Sequence, residues 1–176
     1  MIITGTPLQP ACVIDIEPAR DERGYFARTF SREEFARHGL PGDFVQASLS
    51  FNRRRGTLRG LHYQAEPAAE GKLIRCTRGA IFDVMLDLRR ESPTWCRWFA
   101  VELSADNGRA VYVPPGFAHG FQTLTDDAEL FYQMTAAYRP ELSRGVRWND
   151  PAFGITWPLA DPIVSARDAG LADFVG

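Results

Sequence analysis

The chain is 176 residues long, with 45% hydrophobic and 24% charged residues, which fits one globular domain able to bury a real core. A net charge of −2 provides no global basic field for nucleic acid or an anionic membrane, so an anionic ligand must be met by local cations. Cys12, Cys76 and Cys96 are too few and too scattered for a disulfide framework or a zinc knuckle, and no apolar run reaches the roughly 20 residues that span a bilayer. The N-terminus lacks a basic region followed by an apolar run, so a cytoplasmic protein with reduced thiols is expected.

In chain order, the first clear signal is a helix start. Ser31-Arg32-Glu33-Glu34 spells a capping box, and Gly39 supplies a stop. Strand signals then dominate: TLRGLHYQ (57–64), KLIRCT (72–77), GAIFDVMLDL (79–88), WFAVEL (98–103), RAVYV (109–113) and ELFYQMT (129–135). In the third run Phe82, Val84, Leu86 and Leu88 share one face. Ile81, Asp83, Met85 and Asp87 share the other, read as the polar face. Asp106-Asn107-Gly108 and Pro114-Pro115-Gly116 are turn signals. Ser165-Ala166-Arg167-Asp168 marks a second helix start. With no internal repeat, linker or low-complexity tract, residues 1–176 read as a single all-β domain, a sandwich or barrel with a few short helices.

The central block carries the chemistry. Gly56 is followed after five residues by His62, and Gly108 after five by Pro114-Pro115-Gly116, then after two by His119. These spacings resemble the two motifs of the cupin barrels, which implies a cupin-like double-stranded β-helix, or jelly-roll, barrel. Metal-binding cupins carry a second His and a Glu in the first motif. Here those positions are Gln64, Ala68 and Ala69, so two of four ligands are missing and no metal is expected.

Over nearly the whole chain the pattern is more specific. DERGYF (21–26), RGTLRGLHYQ (55–64), GKLIRCTRGAIFDVMLDLR (71–89), PPGFAHGFQTL (114–124), RGVRWNDPAFGITWP (144–158) and PIVSARD (162–168) resemble the dTDP-4-dehydrorhamnose 3,5-epimerase family. That resemblance implies a cofactor-free homodimeric isomerase acting on a nucleotide diphosphate keto-sugar. It casts His62 as the base that removes protons beside a 4-keto group, a task suited to a side chain of pKa about 6.5. It casts Asp168 as the carboxylate that orients His62, although Ser165-x-x-Asp168 equally spells a helix cap. Tyr132 becomes the acid on the opposite face of the enolate, where a strand aromatic would otherwise simply pack.

Lys72, the only lysine, resembles the cation that stabilises the enolate oxygen, with Asp83 in the same network. Arg59 and Arg23 resemble a diphosphate clamp, Arg23 reaching in from a second copy. Gln46, His119, Phe26 and Tyr138 complete the implied substrate pocket, Tyr138 being equally well placed for core packing.

Two features strain this reading. Strict alternation puts Arg59 and His62 on opposite faces unless Gly60 marks a bulge. Arg28 and Gln46-Ala47-Ser48-Leu49-Ser50 also depart from the family pattern where the nucleotide is recognised. The sequence therefore leaves open a monoepimerase or a CDP-, GDP- or UDP-linked sugar. A non-catalytic sugar-nucleotide-binding cupin and a metal-dependent cupin enzyme are the alternatives from other classes.

Overall fold

A computed structural model describes residues 1–175. The elements run β1 (Ile2–Gly5), β2 (Cys12–Asp15), β3 (Ala19–Asp21), β4 (Gly24–Phe26), α1 (Arg32–Arg37) and β5 (Gln46–Asn52). Then come β6 (Thr57–Gln64), β7 (Lys72–Arg78), β8 (Ala80–Asp87), β9 (Trp98–Ser104), β10 (Ala110–Val113), β11 (Phe117–Thr123) and β12 (Ala128–Met134). A 3-10 turn (Pro140–Leu142), β13 (Ser143–Gly145), β14 (Ile163–Val164) and α2 (Ala166–Ala169) close the chain.

Six strands form one sheet in the order β1-β2-β10-β7-β12-β5. A second sheet runs β13-β6-β11-β8-β9, with β14 parallel to β6 at Thr57 and Leu58. Strands β3 and β4 form a separate, fully exposed hairpin. The two large sheets face each other across one core. Ile74, Val111, Val113 and Leu130 enter it from the first sheet, and Ile81, Met85, Leu103, Phe117 and Phe121 from the second. This is the jelly-roll barrel that the cupin spacings imply.

Both outer faces are covered as well. The aromatic ring of Phe35 on α1, with Phe30 and Phe44, packs on Leu73 and Tyr112 of the first sheet. Helix α1 starts as its capping box predicts: the Ser31 side chain accepts the Glu34 amide. The Glu34 carboxylate pairs instead with the N-terminal amine and Arg28. On the second sheet, Val84, Leu86 and Phe82 pack against Val146, Phe153, Ile155 and Trp157 from the C-terminal segment. That covering corrects the reading of β8. Its supposedly polar face, Ile81-Asp83-Met85, lines the barrel interior, and Asp83 is fully buried there. Both faces of β8 are buried because the C-terminal segment adds a third layer, which strand periodicity alone does not show.

Candidate active site

Register decides which side chains meet. On β11, His119 lies opposite His62 and Phe121 opposite Arg59, so two steps on β11 span three on β6. The extra residue falls at Gly60, whose φ is +132°, and an added Cβ there would lie 2.6 Å from the Gly120 Cα. Only glycine suits that conformation and that approach. The bulge resets the strand, so Arg59 and His62 share the inward face with Phe121 and His119. Asp83 pairs with Phe121, and Lys72 shares the inward parity of Ile74 and Cys76, as Tyr132 does that of Leu130. Arg59, His62, Lys72, Asp83, His119 and Tyr132, from five strands, thus converge on one lumen.

His62 is held by its carboxylate partner. Its Nε2 lies 2.7 Å from Asp168 Oδ1, with the His62 side chain 35% exposed and Asp168 5%. Asp168 Oδ2 also accepts the Gly60 amide at 3.2 Å. Ser165 accepts the Asp168 amide and caps α2, leaving the Asp168 carboxylate free for His62. The cap and the pair therefore coexist, carried by different residues. Burial pulls the His62 pKa below its ordinary value, opposed by Asp168, so the ring favours its neutral form. Its Nδ1 has no protein partner among the described residues.

Lys72 Nζ donates to the His62 carbonyl at 3.2 Å and lies 3.3 Å from Glu70. Burial lowers its pKa, and Glu70 opposes that shift. A second pair sits deeper: His119 Nε2 is 2.7 Å from Asp83 Oδ2, with both side chains almost wholly buried. Asp83 Oδ1 has no hydrogen-bond partner among the described residues. The Tyr132 ring meets His119 edge-on, centroids 5.9 Å apart. Burial, and then Asp83, push the Tyr132 phenol well above its usual value of 10, so it keeps its proton. A cavity of about 170 Å³ opens on His62, Lys72, Glu70 and Tyr138. One of about 530 Å³ opens on His62, Arg59 and Asp168.

The donors do not fit a metal ion. His62 and His119 face each other across β6 and β11, yet each already holds a carboxylate. Gln64, at the vacant ligand position, donates to the Ala68 and Ala137 carbonyls and accepts the Arg139 amide, bracing loops instead. No group of three or more His, Cys, Asp or Glu converges among the described residues.

A family model described as dTDP-4-dehydrorhamnose 3,5-epimerase matches residues 5–175. The chain belongs to the dTDP-4-dehydrorhamnose 3,5-epimerase family. It is 40% identical to that enzyme from Shigella flexneri over 99% of this chain and 97% of the other. A dTDP-4-dehydrorhamnose 3-epimerase from Streptomyces niveus is 39% identical over 92% of this chain and 79% of its own. A crystal structure of the Legionella pneumophila enzyme, in complex with dTDP-4-keto-L-rhamnose, superposes with a TM-score of 0.90. It shares 37% identity, covering 97% of this chain and 90% of that one.

Not every residue implied by the epimerase resemblance lies at this lumen. Arg23 and Phe26 sit on the β3–β4 hairpin, where Arg23 pairs with Asp21 and Phe26 is 80% exposed. Within one chain the structure does not bring them to His62, because the hairpin projects from the barrel as its own two-stranded sheet. Arg28 pairs with Glu34 on α1. Gln46 accepts the Tyr138 amide and so ties down the rim residue beside Lys72. Ser48, one of the departures from the family pattern, lies directly opposite Tyr132.

The sequence reading missed Glu70, Asn52 and Arg167. Asn52, itself buried, accepts from Arg59 at 2.7 Å, and Arg167 lines both cavities. Glu70 carried one usable signal, its place two residues before the only lysine. Among the described residues no helix is long and apolar enough to cross a membrane.

Proposed function

We propose that the chain inverts C3 and C5 of dTDP-4-dehydro-6-deoxyglucose, giving dTDP-4-dehydrorhamnose, with no redox cofactor or metal. The observation that carries the reading is the lumen itself: a neutral, carboxylate-held His62 on one sheet and a partly buried, protonated Tyr132 on the facing sheet. The C4 ketone acidifies the hydrogens on both neighbouring carbons. His62 Nδ1 takes such a proton, and the C–H electrons move into the C4 carbonyl to form an enolate. Asp168 stabilises the imidazolium that results. The Lys72 ammonium offsets the charge on the enolate oxygen. Tyr132 gives its proton to the opposite face of the carbon, and exchange with solvent restores both groups.

Arg59, held by Asn52, takes one side of the diphosphate. Arg23 and Phe26 on the projecting hairpin complete the site of a second copy in a homodimer, which gives their exposure a purpose. Thymidine is the proposed base, since the relatives above are all named for dTDP-sugars. Inversion at C3 alone is the second reading, favoured by the likeness to the Streptomyces niveus 3-epimerase. Product stereochemistry read from NMR coupling constants separates the two. Inversion at both carbons supports the proposal, and inversion at C3 alone selects the second reading. Turnover of a CDP- or GDP-linked keto-sugar with none of the dTDP compound overturns the nucleotide assignment.

A further inference from the structure

The motif RGVRWNDPAFGITWP is not consumed by the chemistry above, yet it builds a seat. Leu61 and Val146 exchange backbone hydrogen bonds at 3.1 and 3.0 Å, joining the start of the motif to β6 beside His62. Trp157 donates to the Trp148 carbonyl and Trp98 to the Phe153 carbonyl, fixing the loop on the outer face of the second sheet. At its centre Asp150 is 3% exposed. Its Oδ1 accepts the Ala152 amide of its own turn at 2.9 Å, and its Oδ2 accepts the Phe174 amide at 2.5 Å, 24 residues away. The Phe174 ring packs on Phe153 with centroids 5.0 Å apart, and Arg147 pairs with Asp173 at 2.5 Å. Leu171 seats against Gly145, where a Cβ would come within 2.9 Å of it, and Gly145 is the β13 partner of His62.

Between this seat and β14 lies α2, the four-residue helix that carries Asp168. One turn of helix has no stability of its own. Its position rests on its own contacts, Asp168 with the Gly60 amide and Arg167 with Ser143, and on what holds the chain on either side: a two-residue strand upstream and the Asp150 seat downstream. We propose that Asp150 is a positioning residue that, by holding the Phe174 backbone, fixes α2 and so presents the Asp168 carboxylate to His62. Asp150 acts through Asp168 and touches no substrate. Asp168 and Arg167, two of the charged groups that act on His62, both lie on α2, so a shift of α2 moves them together.

The proposal rests on His62 acting as base, so it is tested by one readout with turnover and one without. In the wild type, the His62 Nε2 proton facing Asp168 gives a downfield NMR resonance protected from solvent exchange. Asp168→Asn removes it, and Asp150→Ala and Phe174→Ala broaden or remove it. In turnover, Asp150→Ala lowers kcat about tenfold with KM within about twofold. Asp150→Asn, which keeps one acceptor oxygen, restores part of the loss. Combined with Asp168→Asn, Asp150→Ala adds nothing further, because both act on one contact. An unchanged resonance in Asp150→Ala and Phe174→Ala, or losses that add in the double variant, would overturn the proposal. Should Asp150→Ala fail to fold, Phe174→Ala and Asp150→Asn carry the same comparison. A wild type that shows the resonance without turnover contradicts the epimerase reading and leaves the seat standing.

Discussion

The barrel holds two His–Asp pairs with the same 2.7 Å contact and opposite settings. His119 and Asp83 sit on neighbouring strands, β11 and β8, brought together by sheet register and closed off from water. His62 and Asp168 lie 106 residues apart and meet only when the C-terminal segment folds back over β6. The first pair is part of the barrel, and the second is assembled onto it at an open cavity. The same two groups therefore do different work: the dry pair orders the lumen beneath Tyr132, and the open pair can exchange a proton with a ligand.

The largest effect expected from this contrast is on turnover. His62→Ala lowers kcat by about a thousandfold or more, the upper range for a positioned base, and shifts Tm by no more than about 2 °C. His119→Ala reverses the balance on stability. It leaves Asp83 buried with neither oxygen partnered, costing about 3–5 kcal/mol, and thermal unfolding drops by about 10 °C. Equal Tm losses in the two variants would erase the distinction.

Tyr132→Phe comes next, lowering kcat about a hundredfold with little change in fold, since the ring contact with His119 survives.

The smallest effects are on pH dependence. A base must be neutral, and burial holds the His62 pKa below 6.5, so the acid limb of kcat/KM has its midpoint below pH 6.5 and activity is lost as pH falls through it. On the alkaline side Tyr132 keeps its proton beyond pH 10, whereas Lys72 loses its charge below 10.5. The alkaline limb thus belongs to Lys72, and Lys72→Arg moves it upward. A limb unmoved in Lys72→Arg would place its titration elsewhere.

The contrast also sets what could be read from the sequence. The six strand runs from TLRGLHYQ to ELFYQMT are all strands, because each carries β-branched or aromatic residues between turn signals. Strand β11 gave no such signal: all seven of its residues are buried, so it shows no alternation, and Gly120 interrupts it. Strands β13 and β14 are too short to show a period. Gly60 was legible as the place where alternation had to break, and it does break there. Asp168 was ambiguous because local spacing describes its helix and not a partner 106 residues away; only the family resemblance pointed to His62. Asn52 and Glu70 stayed hidden because a polar residue at a strand end or in a loop looks solvated until the fold covers it.

The central claim is that His62 removes carbon-bound protons from a thymidine-linked 4-keto-sugar. Incubating the protein with dTDP-4-dehydro-6-deoxyglucose in deuterated water and reading label at C3 and C5 by NMR tests it most directly. The account predicts deuterium at both carbons with the wild type and none with His62→Ala. Label that persists in His62→Ala, or never enters with the wild type, would contradict it.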